Sequence, residues 1–264
     1  MKRIRKECPA KLNLFLELPG LRPDGFHEIV TLMVPIDLCD SLEVEPARRF
    51  SLEVEGAVLE GRNTVEKAID AVARRRSVPP VRVRLVKRIP AGSGLGGGSS
   101  DAAGTIEALD ELFDLGLDRS EAGAEVGSDV NFFFAHGPAL CTGRGEIVHL
   151  LTVRRRLGLA LLVPPFSHPT KEVYAVHRRL DLTGKVRNVN QILNSYVSGS
   201  VADLEKAMFN RLEEAACVLH PEMREWLARL GPGARMSGSG SAVFRLVPDG
   251  GAARELGGRW VASG

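Results

Sequence analysis

The sequence predicts an α+β protein in two parts, with the division near residue 150. Three observations carry this reading. Alternating apolar strands and amphipathic helices interleave before that point, the chain turns mostly helical beyond it, and glycine-rich stretches stand where strands and helices join. At 264 residues the chain is long enough for one large domain or two modest ones with a real core. Its 44% hydrophobic and 26% charged residues exclude an intrinsically disordered chain.

The elements follow in order. Residues 10–18 alternate, with Ala10, Leu12, Leu14, Leu16 and Leu18 on one face and Lys11, Asn13, Phe15 and Glu17 on the other, as in a half-buried strand. Turns at Pro19-Gly20 and Pro23-Asp24-Gly25 lead to apolar strands over residues 29–34 and 41–45. Asn63 caps a helix that carries Val65, Ala68, Ile69, Val72 and Ala73 at helical spacing. Pro79-Pro80 breaks the chain before a strand over 81–89. A glycine run then opens a helix over 99–115, striped by Ala102, Ala103, Ile106, Leu109 and Leu112. A short helix over 119–126 ends at Gly127, and residues 132–134 resume an extended apolar segment. Basic residues 154–156 form a surface connection to a strand over 157–163. Helices over 170–180, 186–196, 201–219 and 221–230 follow, and a Gly/Ser stretch at 237–241 enters a strand over 242–247.

Several function classes are excluded at this level. With 35 basic and 33 acidic residues the net charge is +2, so nothing global marks a nucleic-acid or membrane-surface binder. The longest uncharged apolar run, residues 157–166, contains two prolines and falls short of the roughly 20 residues of a membrane span. The basic start runs into Glu7, Pro9, Lys11 and Asn13 rather than an apolar signal core. Cys8, Cys39, Cys141 and Cys217 are scattered without metal-ligand spacing, which fits a cytoplasmic protein with reduced thiols.

Glycine is in excess, 28 of 264, and five of these fall within residues 92–98. The run Pro90-Ala-Gly-Ser-Gly-Leu-Gly-Gly-Gly-Ser-Ser-Asp-Ala-Ala103 joins a strand to a helix N-terminus. Backbone N–H groups in such a loop can converge on an anion, and the helix dipole adds favourable potential. Ser99 and Ser100 add hydroxyls suited to phosphate oxygens or a hydrated cation. No Gly-Lys-Ser/Thr closes the loop, so it is not a Walker A motif. Gly92, Gly94 and Gly97 fit the dinucleotide fingerprint, but Arg82 and Arg84 alternate with Val81, Val83 and Leu85 in the preceding strand. That pattern belongs to a half-solvated antiparallel strand, not to the buried parallel strand of a dinucleotide fold. The loop therefore reads as a nucleoside-triphosphate cradle on an antiparallel sheet.

Other residues are ambiguous taken singly. Lys11 and Asn13 share a strand face that solvent alone could explain. Asp129, in Gly127-Ser-Asp-Val-Asn131, reads as a turn or cap residue, and His27, in Asp24-Gly-Phe-His27, as a turn residue. Residues 237–241 fit either a second anion nest or a tight connection.

Taken together, four stretches resemble the GHMP kinase superfamily in its order: Pro9-Ala-Lys-Leu-Asn-Leu-Phe-Leu16, Asp24-Gly-Phe-His27, the run from Lys87 through the glycine loop to Ala103, and Met236-Ser-Gly-Ser-Gly-Ser-Ala-Val-Phe244. Gly127-Ser-Asp129 and Asn210-Arg-Leu-Glu213 add to the match, which covers nearly the whole chain. The resemblance implies an N-terminal domain like ribosomal protein S5 domain 2 over residues 1–152, ATP-binding and catalytic, and a ferredoxin-like substrate-side domain over 153–264. ATP and substrate would meet in the cleft between them. It implies ATP and Mg²⁺ as cofactors, with Pro90, Gly92, Gly94, Leu95, Gly96, Gly97, Gly98, Ser99 and Ser100 around the phosphates. Asn63 and Lys87 match positions beside the adenine. Asp129 matches the catalytic base and Lys11 its partner. Asn13, Phe26, His27, Thr170 and Tyr174 fall where members acting on cytidine-diphosphate-methylerythritol grip that substrate. Phe26 and Tyr174 would sandwich the cytosine ring, and His27 would read its edge. The implied activity is ATP-dependent phosphorylation of a tertiary hydroxyl in the non-mevalonate isoprenoid pathway, by a cytoplasmic monomer or weak homodimer. Superfamily members acting on mevalonate, homoserine or sugars, or a non-catalytic nucleotide-binding homologue, are the alternatives. Phe26 stands where tyrosine is usual, Asn131 where proline is, Ser93 for an alanine and Thr64 for a leucine.

Overall fold

In a computed structural model, the structure describes residues 2–57, 61–153, 155–180 and 186–263. Arg154, in the basic connection, lies outside the described residues. The alternating start forms β1 (Ile4–Leu21), and the two expected apolar strands that follow are one long strand, β2 (His27–Pro46). β1 is not half-buried: residues 10–18 are buried on both faces, Lys11, Asn13 and Glu17 included. Alternating polarity misleads here because those polar groups are satisfied inside the protein rather than by water.

β3 (Ser51–Glu55), not anticipated from the sequence, precedes α1 (Thr64–Ala73). Asn63 starts α1 with a full capping box: its side chain accepts from Val65 N, and Glu66 accepts from Asn63 N. β4 (Val81–Val86) buries Val81, Val83 and Leu85 and leaves Arg82 and Arg84 outside, paired with Glu45 and Glu55. It runs antiparallel to β2, as its pattern predicts, and parallel to β3. After the glycine loop come α2 (Gly97–Phe113), α3 (Arg119–Val126) and α4 (Val130–Phe134). The segment expected to be extended at 132–134 is thus helical, since a three-residue apolar run has no period to separate the two states.

β5 (Ala139–Thr142) and β6 (Ile147–Leu150) form an antiparallel pair that the sequence did not reveal. β7 (Gly158–Leu162), α5 (Thr170–Arg179) and α6 (Val189–Val197) follow. The single helix expected over 201–219 is interrupted. α7 (Val201–Ala207) gives way to β8 (Phe209–Asn210), which pairs parallel with β1 at Phe15 and Leu16, before α8 (Glu213–Leu219) begins. Long-range pairing overrides local helix propensity there. The chain closes with α9 (Met223–Leu230), β9 (Arg235–Met236), β10 (Val243–Leu246), α10 (Gly250–Glu255) and β11 (Arg259–Ala262).

Packing groups these elements into two units. The first holds Met1–Ala10, Leu38–Ala91 and Gly96–His136. In it β3, β4 and the later half of β2 carry α1 to α4 over a core that includes Leu42, Val44, Val72, Val83, Leu85, Ile106 and Leu109. The second unit holds Lys11–Asp37, Gly92–Leu95 and Gly137–Gly264. Its own four-stranded sheet runs β11-β7-β10-β9 and shares a core with α5, α8 and α9 around Val173, Ala216, Met223, Leu230 and Val243. Among the described residues no helix is long and apolar enough to cross a membrane.

Candidate active site

The glycine loop starts in the second unit, at Gly92–Leu95, and ends in the first, where it opens α2. Gly96 is the N-cap at φ 74°, and it brings no side chain to cap the first amides. Those orphan N–H groups and the helix dipole make a seat for an anion. One turn in, the Ser100 hydroxyl is buried and has no hydrogen-bond partner. A side chain at Gly97 would intrude, and one at Gly98 would meet its neighbour in van der Waals contact. A Cβ on Gly97 would lie 2.9 Å from Ile89 Cγ2, and one on Gly98 would touch Thr64 at 3.4 Å. The Asn63-capped start of α1 therefore sits against the start of α2.

The turn carrying Asp129 joins the same region of the first unit, since a Cβ on Gly127 would come within 3.8 Å of Ser99 Oγ. Asp129 occupies the N-cap position of α4 at φ −88° and ψ −3°, yet its carboxylate does not cap that helix. The residue as a whole is half-buried. The cap reading of Asp129 thus holds for its backbone and not for its side chain.

Beneath the loop, the Lys87 ammonium is enclosed by Asp40 and by Asp101, the latter at 2.5 Å. Asp40 also accepts from Arg88 N and from Ile89 N at 2.8 Å, so it ties the end of β4 to β2. Burial pushes the Asp101 carboxyl up to about 7 despite the lysine beside it. Burial alone would lower Lys87, but the charges and hydrogen bonds of Asp101 and Asp40 hold it above its ordinary value.

In the second unit, Lys11 is 2% exposed and donates to Asn13 Oδ1 at 2.6 Å and to Gly94 O at 2.7 Å. Its backbone N–H donates to Leu95 O at 2.9 Å, which fastens the first half of the glycine loop to β1. Asn13 Nδ2 donates to Thr31 Oγ1, which donates in turn to Phe15 O. Ser237 Oγ donates to Gly94 O at 3.1 Å and accepts from Asn13 N at 3.3 Å. Gly94 has φ 77°, and a Cβ there would fall 2.2 Å from Ser237 O, so only glycine fits. The segment 237–241 is held by several hydrogen bonds: Ser241 donates to Phe166 O, Ser239 shares a hydrogen bond with Thr170, and Asn210 Nδ2 donates to Met236 O and Gly238 O.

Also in the second unit, the His27 ring lies 5.2 Å from Tyr174 and 5.7 Å from His177. Burial, then the Arg178 charge, lowers the His27 pKa from its ordinary value. Phe26 is 54% exposed, and the Arg144 guanidinium covers one face of its ring at 5.1 Å.

This geometry has relatives. Residues 63–137 match the model of the GHMP kinases N terminal domain, and residues 191–264 match GHMP kinases C terminal. A 4-diphosphocytidyl-2-C-methyl-D-erythritol kinase of Pelotomaculum thermopropionicum is 38% identical over 263 residues, 95% of this chain and 91% of that protein. One of Thermotoga maritima is 38% identical over 90% of each chain. The crystal structure of a 4-(cytidine 5'-diphospho)-2C-methyl-D-erythritol kinase superposes with a TM-score of 0.82 at 34% identity, covering 99% of this chain and 100% of that one. The chain belongs to this family of GHMP kinases. The mevalonate kinase of L. major, at 16% identity and a TM-score of 0.74, shares the fold.

Within this GHMP kinase, each unit collects part of the expected set. The first gathers Asn63, Lys87, residues 96–100 and Asp129; the second gathers Lys11, Asn13, Gly94, Leu95, Phe26, His27, Thr170 and Tyr174. The sequence did not single out Thr31, Asp40 or Arg144, and it placed Asp101 and Asn210 in motifs without a role. Asp40 meets Lys87 from 47 residues away, and no local pattern could have paired them.

Proposed function

We propose that the chain transfers the γ-phosphoryl group of ATP to the tertiary 2-hydroxyl of 4-diphosphocytidyl-2-C-methyl-D-erythritol, a step of the non-mevalonate isoprenoid pathway. The observation that carries the phosphoryl-transfer half of this reading is the start of α2. A glycine cap without a side chain, close-packed Gly97 and Gly98, and the orphaned Ser100 hydroxyl leave donors that a triphosphate would satisfy. In this reading Gly92, Gly94, Gly96 and their neighbours from Pro90 to Ser100 hold the phosphates, with Asn63 and Lys87 beside the adenine.

A tertiary hydroxyl is too weakly acidic to attack unaided. Asp129 takes its proton as the new O–P bond forms and the bond to the leaving ADP breaks, and Lys11 steadies the developing negative charge. Magnesium supplies charge neutralisation at the transferring phosphate when bound. Among the described residues no group of three or more His, Cys, Asp or Glu is placed to hold a metal. Asn13, Phe26, His27, Thr170 and Tyr174 hold the cytidine diphosphate end. The aromatic His27 and Tyr174 pair favours this acceptor over mevalonate, homoserine or a sugar, none of which carries a base. The division into an ATP-binding part, 1–152, and a substrate-side part, 153–264, belongs to the same proposal.

The test is ADP release with ATP, Mg²⁺ and the cytidyl substrate, using Asp129→Asn as control. Substrate-dependent ADP is expected from the wild type, with a loss of roughly 10²–10⁴-fold in the mutant. Folded wild-type protein that releases none overturns the assignment. A fully active Asp129→Asn removes the base.

A further inference from the structure

His177 lies outside every expected site residue, yet it is 3% exposed and its Nδ1 has no hydrogen-bond partner. A leucine or phenylalanine would fill the same core position without leaving a buried nitrogen unsatisfied, which costs on the order of 1–3 kcal/mol. Its place in the fold suggests what the nitrogen is for. On α5, Tyr174 and His177 are three residues apart and so share one face of the helix. Both rings lie beside His27, the Tyr174 ring inclined to it by 44° and the His177 ring by 66°.

The spacing is informative. Two imidazoles joined by N–H···N have centroids about 5.3 Å apart, from an N···N distance near 2.9 Å plus the two ring radii. His27 and His177 stand at 5.7 Å, near that spacing, and one of the two rings carries the orphan nitrogen. A histidine whose one nitrogen is engaged is fixed in tautomer at the other. A histidine not so fixed offers either a donor or an acceptor, and so accommodates either pyrimidine.

We propose that His177 is a specificity-determining positioning residue. Its Nδ1 engages one nitrogen of His27 and leaves the other as an acceptor for an exocyclic amine, which selects cytosine over uracil. The inference rests on the reading of His27 as the residue that meets the base edge. Both rings are neutral at neutral pH, as an acceptor nitrogen requires. Burial, then Arg178, lowers His27, and burial, then His27 and Arg211, lowers His177, against an opposing pull from Glu17.

The experiment compares kcat/KM for the cytidine-diphosphate substrate and its uridine-diphosphate counterpart, with KM for ATP followed alongside. His177→Phe keeps a ring in the core and removes the nitrogens. It is expected to cut the cytidine preference roughly tenfold, through KM for the nucleotide-diphosphate substrate and not for ATP. His177→Asn, which returns a hydrogen-bonding atom, is expected to recover part of the preference. A folded His177→Phe with the wild-type preference overturns the inference, as does an equal loss with both bases. His27→Phe separates the two readings. If it leaves the preference intact, the assignment of His27 fails; if it abolishes the preference while His177→Phe does not, only the role of His177 fails.

Discussion

Two buried lysines touch the glycine loop, one from each unit, and they fasten it at different points. Lys87, 9% exposed, lies where a Cβ on Gly97 would come within 3.3 Å of its ammonium, and two carboxylates, Asp40 and Asp101, enclose that charge. Lys11, 2% exposed, donates to the Asn13 amide oxygen and to the Gly94 carbonyl. Removing one member of a buried ion cluster leaves the rest uncompensated, and removing the Lys11 donor leaves the Asn13 and Gly94 oxygens unsatisfied. The lesson is that depth alone does not assign a buried lysine its role.

That contrast can be broken by substitution. Lys87→Met should have the largest effect on stability, about 3–5 kcal/mol, because Asp40 and Asp101 would then face each other without a cation. Thermal or denaturant unfolding reads it directly, and an unchanged midpoint would remove the structural role. Lys11→Met should cost less stability, on the order of 1–3 kcal/mol, but lower kcat by roughly 10²–10³-fold if it steadies charge in the transition state. The two variants thus exchange rank between a melting curve and a rate assay. A Lys11→Met that melts early and turns over normally would reverse the comparison.

Smaller changes sharpen it. Ser237→Ala deletes one of two donors to Gly94 O while Lys11 stays, so about 1 kcal/mol of stability and a modest rise in KM for ATP are expected. A pH slope reads the Lys87 cluster from its acidic side. The folded Asp101 carboxyl binds its proton at about 7 and the unfolded one near 3.8, so between those values the folded state holds more protons. Stability from this group therefore declines as pH rises through that window and levels off above it. Asp101→Asn should remove that slope, measured as the wild-type minus mutant difference in unfolding free energy from pH 4 to 8. His27, His168 and His177, each lowered chiefly by burial, act with the opposite sign: their contribution is complete above about 6.5 and falls away as pH drops below it.

Local chemistry made part of this molecule legible before folding was considered. The Asn63 cap, the Pro79-Pro80 break and the alternation of Arg82 and Arg84 with apolar neighbours each act within a few residues, and α1 and β4 appear where those signals put them. β8 was read as helix because the residues around Phe209 and Asn210 favour one locally, and only their pairing with Phe15 and Leu16 makes them a strand. The site divides the same way. The glycine loop announces itself by composition, and Lys11 and His27 stand in recognisable motifs, but Asp40, Asn210 and His177 gain meaning only from partners distant in sequence.

The sequence by itself determined that strand, glycine loop and helix would follow one another, because backbone freedom at Gly94 and Gly96 and the amphipathic period of α2 are local properties. It also determined the kinase family, through motifs spread along the chain. Tertiary structure decided which polar residues were buried and what faced them. That Lys87 meets carboxylates, that Lys11 meets carbonyl oxygens, and that His177 keeps an unsatisfied nitrogen beside His27 are results of chain segments brought together by the core. Charge and hydrogen bonding act over a few ångströms, and sequence separation does not measure those distances.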